Sequence, residues 1–99
     1  MRPERLLAVA LVALAGCALA PQQFVYLEQA ESAYRDASAD PAIARHAAPE
    51  LRSAREVLER AIEARATLQD AAEVDHLAYV ARQRIEIARA AARYRETLR

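Results

Sequence analysis

The sequence predicts an all-α protein: a small antiparallel three-helix bundle or an extended helical hairpin, behind an N-terminal signal. Three observations predict it. Apolar residues, most of them alanine, recur every three or four positions from Leu27 to Leu98, which is helical spacing. Arginines and acids are interleaved four apart on the positions between, as on the wet face of a helix. The only glycine, Gly16, lies in the N-terminal run, so the rest of the chain has neither a glycine hairpin turn nor a glycine-rich phosphate loop.

Arg2 and Arg5 give the N-terminal segment positive charge, Leu6 to Ala15 is apolar without interruption, and small residues surround Cys17, the single cysteine. These are the three parts of an export signal. A transmembrane helix is the competing reading. Leu6 to Ala20 is 15 residues, roughly 22 Å as a helix, whereas the hydrocarbon core is about 30 Å thick, and Pro21 disfavours continuation. Ordinary secretory cleavage after Ala18-Leu19-Ala20 would cut in front of Pro21, a poor junction.

Leu14-Ala15-Gly16-Cys17 resembles a bacterial lipobox: a branched apolar residue, two small residues, then the lipidated cysteine. The resemblance implies that a diacylglycerol joins the Cys17 thiol and that a peptidase cuts before it. Residues 1–16 would be the signal, residues 17–21 a lipidated terminus and tether, and residues 22–99 an alanine-rich helical domain. One acyl chain holds a membrane marginally, and two or three hold it durably. The residues after Cys17 are Ala18, Leu19 and Ala20, with no aspartate. By analogy with enterobacteria this directs the protein to the outer membrane, on its periplasmic face.

The mature chain, Cys17 to Arg99, has 83 residues, enough for one small domain. All 14 of the chain's basic residues are arginine, and with so much alanine this fits a GC-rich genome. Beyond Cys17 there are 12 arginines against 13 acids. There is no basic excess to neutralise phosphates, so nucleic acid is not an expected partner.

The first helical stretch runs from about 22 to 39, with Leu27, Ala30, Tyr34 and Ala37 as its apolar stripe and Glu31 and Arg35 paired on the wet side. Asp40-Pro41 ends it and starts the next, with Asp40 as N-cap and Pro41 at the first helical position. The middle stretch, about 41–69, contains Pro49, which predicts a break near 46–49. Leu51, Ala54, Leu58, Ala61 and Leu68 form its stripe, interrupted by Arg65. Arg52 with Glu56, Arg55 with Glu59, and Glu56 with Arg60 are spaced as pairs.

The last stretch, about 71–98, begins at an Asp70 N-cap and carries two stripes. Val74, Ala78, Ala81, Ile85, Ala88 and Ala92 form one. Leu77, Val80, Ile87, Ala91, Tyr94 and Leu98 form the other. Two stripes predict contact with two neighbours, so Ile85 and Ile87 are both expected to face other helices, and Arg89 to face water. Alanine at stripe positions buries little area, at about 25 cal/mol per Å², so only modest stability is expected.

Ala47-Ala48-Pro49-Glu50-Leu51, then Ala54, Leu58, Ala61, Ala78, Ala81, Ala88 and Ala92, resembles the alanine-ladder pattern of the family called domain of unknown function 4398. The likeness covers most of residues 22–98. It implies a helical envelope lipoprotein, and some members are joined to an OmpA-like peptidoglycan-binding domain. This sequence reaches Arg99 without such a domain, so the resemblance gives no ground for claiming peptidoglycan binding, and it carries over no catalytic residues.

No other constellation carries chemistry. His46 and His76 lie 30 residues apart with Glu73 one turn before the second, short of the three or four ligands of a zinc site. Glu59 with Glu63, and Asp70 with Glu73 and Asp75, read as solvated faces, because acid–base work needs an enclosed pair. Tyr26, Tyr34, Tyr79 and Tyr94 read as helix-interface residues, with contact to a partner as the alternative, and Ser32, Ser38 and Ser53 lack a triad context. The expectation is a structural or protein-interaction lipoprotein, not an enzyme, with no cofactor or metal. Its expected partners are the membrane, through the lipid, and a protein: an OmpA-like envelope protein or a second copy of the chain. The alternative is an envelope ligand-binding module, for the cell wall or for an OmpA-like partner.

Overall fold

A computed structural model of the chain describes residues 24–67 and 70–98. Four helices lie among them: α1 (Val25–Ser38), α2 (Pro41–His46), α3 (Ala48–Ala66) and α4 (Ala71–Thr97). The described residues contain no strand. Leu14, Ala15, Gly16 and Cys17, which resemble a lipobox, together with Leu68 of the middle stripe, lie outside the described residues. No described helix is long and apolar enough to cross a membrane.

The boundaries follow from local chemistry. The Asp40 carboxylate accepts a hydrogen bond from the Ala42 amide at 2.9 Å, with Pro41 at the first helical position. This satisfies a backbone donor that the helix itself cannot reach. Asp70 does the same for the Ala72 amide at 3.0 Å. The expected break falls at Ala47, whose φ of −139° and ψ of 33° are not helical. Pro49 sits in the first turn of α3, where its missing amide costs nothing.

The helices form a bundle rather than an open hairpin. The long α4 packs against α3, α1 and α2, and α1 also packs against α3. Cross-helix contacts give the directions: Glu50 on α3 meets Arg95 on α4, and Glu31 on α1 meets Arg65 on α3. Thus α3 runs antiparallel to both α1 and α4.

The core has two parts. One contains Leu27, Val57, Leu58 and Val74 with alanines 30, 61, 64, 78 and 81. The other contains Ile43 and Ile85 with alanines 37, 47, 54, 88 and 92. Tyr34 packs against both. The first expected stripe of α4 is buried at all six positions.

The second stripe departs from expectation. Leu77, Val80 and Ala91 are half-buried, but Ile87, Tyr94 and Leu98 are 57%, 66% and 67% exposed. All of the neighbours of α4 gather around the alanine-lined stripe, where helix axes can approach closely, which leaves Ile87 facing out. Arg89 is also not on the wet side. Its side chain is only 28% exposed, and its Nε is buried without a hydrogen-bond partner, 3.5 Å from Glu86 Oε1. Glu31 is half-buried and pairs with Arg65 across the bundle at 3.1 Å, where the sequence suggested Arg35 on its own helix. A cross-helix partner removes both side chains from water more fully than a neighbour along one helix. Of the pairs expected along α3, Arg55–Glu59 closes to 3.7 Å.

Candidate functional site

An open groove of about 480 Å³ lies between α1 and α4. Tyr26 and Gln29 line it from α1, and Asp75, Tyr79, Arg82 and Glu86 are among its α4 residues. Arg82 Nη1 donates to Gln29 Oε1 at 3.3 Å and so ties the two helices together. Ala78, buried beneath, keeps the floor low. The groove exists because the two helices touch through small residues, while tyrosines flank the contact and stand clear of it.

This placement corrects the reading of the tyrosines as interface residues. Only Tyr34 packs between helices. Tyr26, Tyr79 and Tyr94 are 59%, 62% and 66% exposed. A buried phenol needs a polar partner, and the alanine-lined seams supply no side-chain polar group, so three of the four rings remain outside.

The carboxylates flagged by the sequence do not come together as one site. Glu73 faces α3 in a shallower groove of about 310 Å³ with Arg60, Glu63 and Leu77. Asp75 lies on the other side of α4, in the tyrosine-flanked groove. Glu59 is exposed on α3 and Asp70 caps α4. His46 is half-buried at the end of α2, where its backbone carbonyl accepts from Arg95 Nη1 at 2.6 Å. His76 is exposed on α4. Among the described residues no group of three or more histidine, cysteine, aspartate or glutamate side chains is placed to hold a metal. Ser53 accepts from Arg84 Nη1 at 2.8 Å, a tie between α3 and α4. Ser32 and Ser38 are exposed on α1.

The groove was not legible in the sequence as a site. Its signal is weak: one tyrosine on each of two helices, both off the apolar stripes. Only the register between α1 and α4 brings them to one opening. Chemically, the grooves and the exposed line on α4 can receive side chains or a ligand from solution. No polar or charged residue among those described is buried as a whole.

Fold and surface together define a small alanine-packed helical bundle whose larger apolar and aromatic side chains stand partly outside. A model of one family, described as Domain of unknown function (DUF4398), matches residues 25–97, and the chain belongs to that family. Neither a curated protein nor a solved structure matches it.

Proposed function

We propose that this chain is a lipid-anchored interaction protein of a bacterial cell envelope, held at the periplasmic face of the outer membrane and presenting its helical bundle to a protein partner. The observation that carries the reading is Leu14-Ala15-Gly16-Cys17 at the end of an uninterrupted apolar run with arginines before it. In this reading Cys17 is the attachment point, and residues 17–21 are the lipidated terminus and short tether. Exposed Ile87, Tyr94 and Leu98 on α4 support a role in protein contact rather than in catalysis. They put apolar area on one helix where a partner can cover it.

The test is metabolic labelling with a palmitate analogue in a bacterial host. The parent chain should incorporate label, lose its signal and fractionate with membranes. Cys17→Ser should remain unlabelled and unprocessed. A Cys17→Ser chain that still matured at the same bond and stayed with membranes would refute the anchor. Retention of the parent chain on purified peptidoglycan at physiological salt would instead favour a cell-wall ligand.

A further inference from the structure

The outer face of α4 has an order that a solvated face does not need. Val80, Gln83, Ile87, Ala90, Tyr94 and Thr97 follow one another at steps of three, four, three, four and three. That alternation averages three and a half residues and is the seam of a left-handed coiled coil. Five of the six are exposed, and Val80 is half-buried. None is charged, in a chain of which 28% is charged. The seam extends about 25 Å along the helix at about 1.5 Å per residue. It lies opposite the buried line from Val74 to Ala92; of its six residues only Val80 packs against the bundle's own core, and Gln83 borders the groove toward α1.

We infer that the partner of this face is α4 of a second copy of the chain, packed antiparallel about a two-fold axis near residues 88 and 89. The reading rests on the interaction role proposed above and names the partner. Its argument is self-complementarity. A two-fold interface uses one patch twice, so each residue must suit the residue it meets in the other copy. Setting Ile87 against Ala90 of the second copy sets Tyr94 against Gln83 and Val80 against Thr97 in the same register. Each layer then joins a larger side chain to a smaller or more slender one, and no layer contains a charge.

The border of the seam agrees. Glu86 and Arg93 flank it on one side, seven residues apart. In the antiparallel register Glu86 meets Arg93 of the second copy, and the symmetry repeats the pair. A parallel arrangement leaves both charges without a match across the seam. Glu86 is 59% exposed, and its contact within the chain is the long one to Arg89, at 3.5 Å, so it is free to turn. On the other border, Arg84 is held by Ser53 at 2.8 Å and faces Leu98 and Ala91 of the second copy, where no like charge opposes it.

The experiment uses the full chain in a Cys17→Ser background, purified in a nonionic detergent, so that an introduced thiol is the only one. Sedimentation should give a dimer that dissociates on dilution. Ile87→Glu should abolish the dimer while circular dichroism stays helical. Glu86→Arg should lower the dimer fraction, and adding Arg93→Glu should restore it. Under mild oxidation, Gln83→Cys chains mixed with Tyr94→Cys chains should form a disulfide-linked dimer, whereas each variant alone should not. A chain that stays monomeric at every concentration and gives no cross-link would overturn the proposal. So would a dimer that survives Ile87→Glu, or Gln83→Cys chains that link to themselves. None of these readouts involves lipid or export, so failure here leaves the labelling result at Cys17 standing, and the converse holds as well.

Discussion

The two halves of the core are built differently. Around Leu27, Leu58 and Val74, several aliphatic side chains share the interior, and Phe24, Ile62 and Leu77 pack against them from the margin. Around Ile85, the only other large buried side chain is Ile43, and five alanines make up the rest. Alanine has no side-chain torsion to adjust. A methyl group lost in the first half can be compensated by marginal residues that turn inward. In the second half only Tyr34 and Leu51 among the marginal residues have torsions to adjust, so a side chain lost there is filled less completely. Equal truncations should therefore have unequal costs.

The largest effect tests this directly. Truncations of buried leucine and isoleucine to alanine cost about 2–5 kcal/mol, depending on how far the site collapses. Ile85→Ala should fall near the top of that range, about 4–5 kcal/mol, and Leu58→Ala near the bottom, about 2–3 kcal/mol. Chemical denaturation of the two variants beside the parent measures both. Equal losses, or a larger loss at Leu58, would mean that the alanine half relaxes as readily as the other.

The same contrast explains what could be read from the sequence. The inner stripe of α4, from Val74 to Ala92, was legible because a helix of 27 residues repeats its pattern often enough to fix a face. Asp40-Pro41, Pro49 and Asp70 were legible because capping and ring geometry act within a few residues. Val57 and Ala64, both buried, lie beside the stripe of Leu51 and Leu58, because the buried face of that helix is wider than one line of residues. Which of the two α4 stripes turns inward was not legible: Ile85 and Ile87 are the same residue type, and only the approach of three neighbours around alanines decides between them. The partner of Glu31 and the groove between Tyr26 and Tyr79 depend on register between helices distant in sequence. The resemblance of Leu14-Ala15-Gly16-Cys17 to a lipobox lies in its residues alone.

The caps should show a smaller effect. Replacing an N-cap aspartate by alanine costs typically about 1 kcal/mol, about 4–8 °C in melting temperature for a domain of this size. Asp40 is half-buried and caps α2, which has six residues and brings Ile43 into the alanine half of the core. Asp70 is exposed and caps a helix with 27 residues to sustain it. Asp40→Ala should therefore lower the melting temperature by more than Asp70→Ala. The reverse order would show that α2 contributes little to holding Ile43.

The cross-helix ion pairs come next. Arg95 donates to both Glu50 oxygens, at 2.6 and 2.9 Å, and to the His46 carbonyl. Arg65 makes a single contact to Glu31 at 3.1 Å. Both arginines are more than a third exposed or close to it, so each should be worth at most about 1 kcal/mol. Arg95→Ala should cost more than Arg65→Ala in dilute buffer. At about 1 M salt, where screening acts within about 3 Å, the Arg65 effect should nearly vanish while Arg95 keeps its bond to the carbonyl. Identical salt responses would reduce Arg95 to a simple surface pair.

The smallest effect is expected at Ile87, and it separates the inside of α4 from its outside. The side chain is 57% exposed in the single chain. Removing it loses little buried area, and alanine has the higher helix propensity. Ile87→Ala should thus change the stability of the dilute monomer by no more than about 0.5 kcal/mol, less than Arg89→Ala, since the Arg89 side chain is more than half covered. Concentration changes the expectation. An association that involves only folded chains stabilises them by mass action, and the melting temperature then rises with protein concentration. The parent should show that rise and Ile87→Ala should show less of it, so the two melting curves separate as concentration increases. Ile85→Ala should be destabilised at every concentration. If the curves of the parent and Ile87→Ala stay together across the whole concentration range, the outer seam contributes nothing to assembly. If they lie far apart even in dilute solution, Ile87 is packed within its own chain after all, and the second stripe of α4 faces inward.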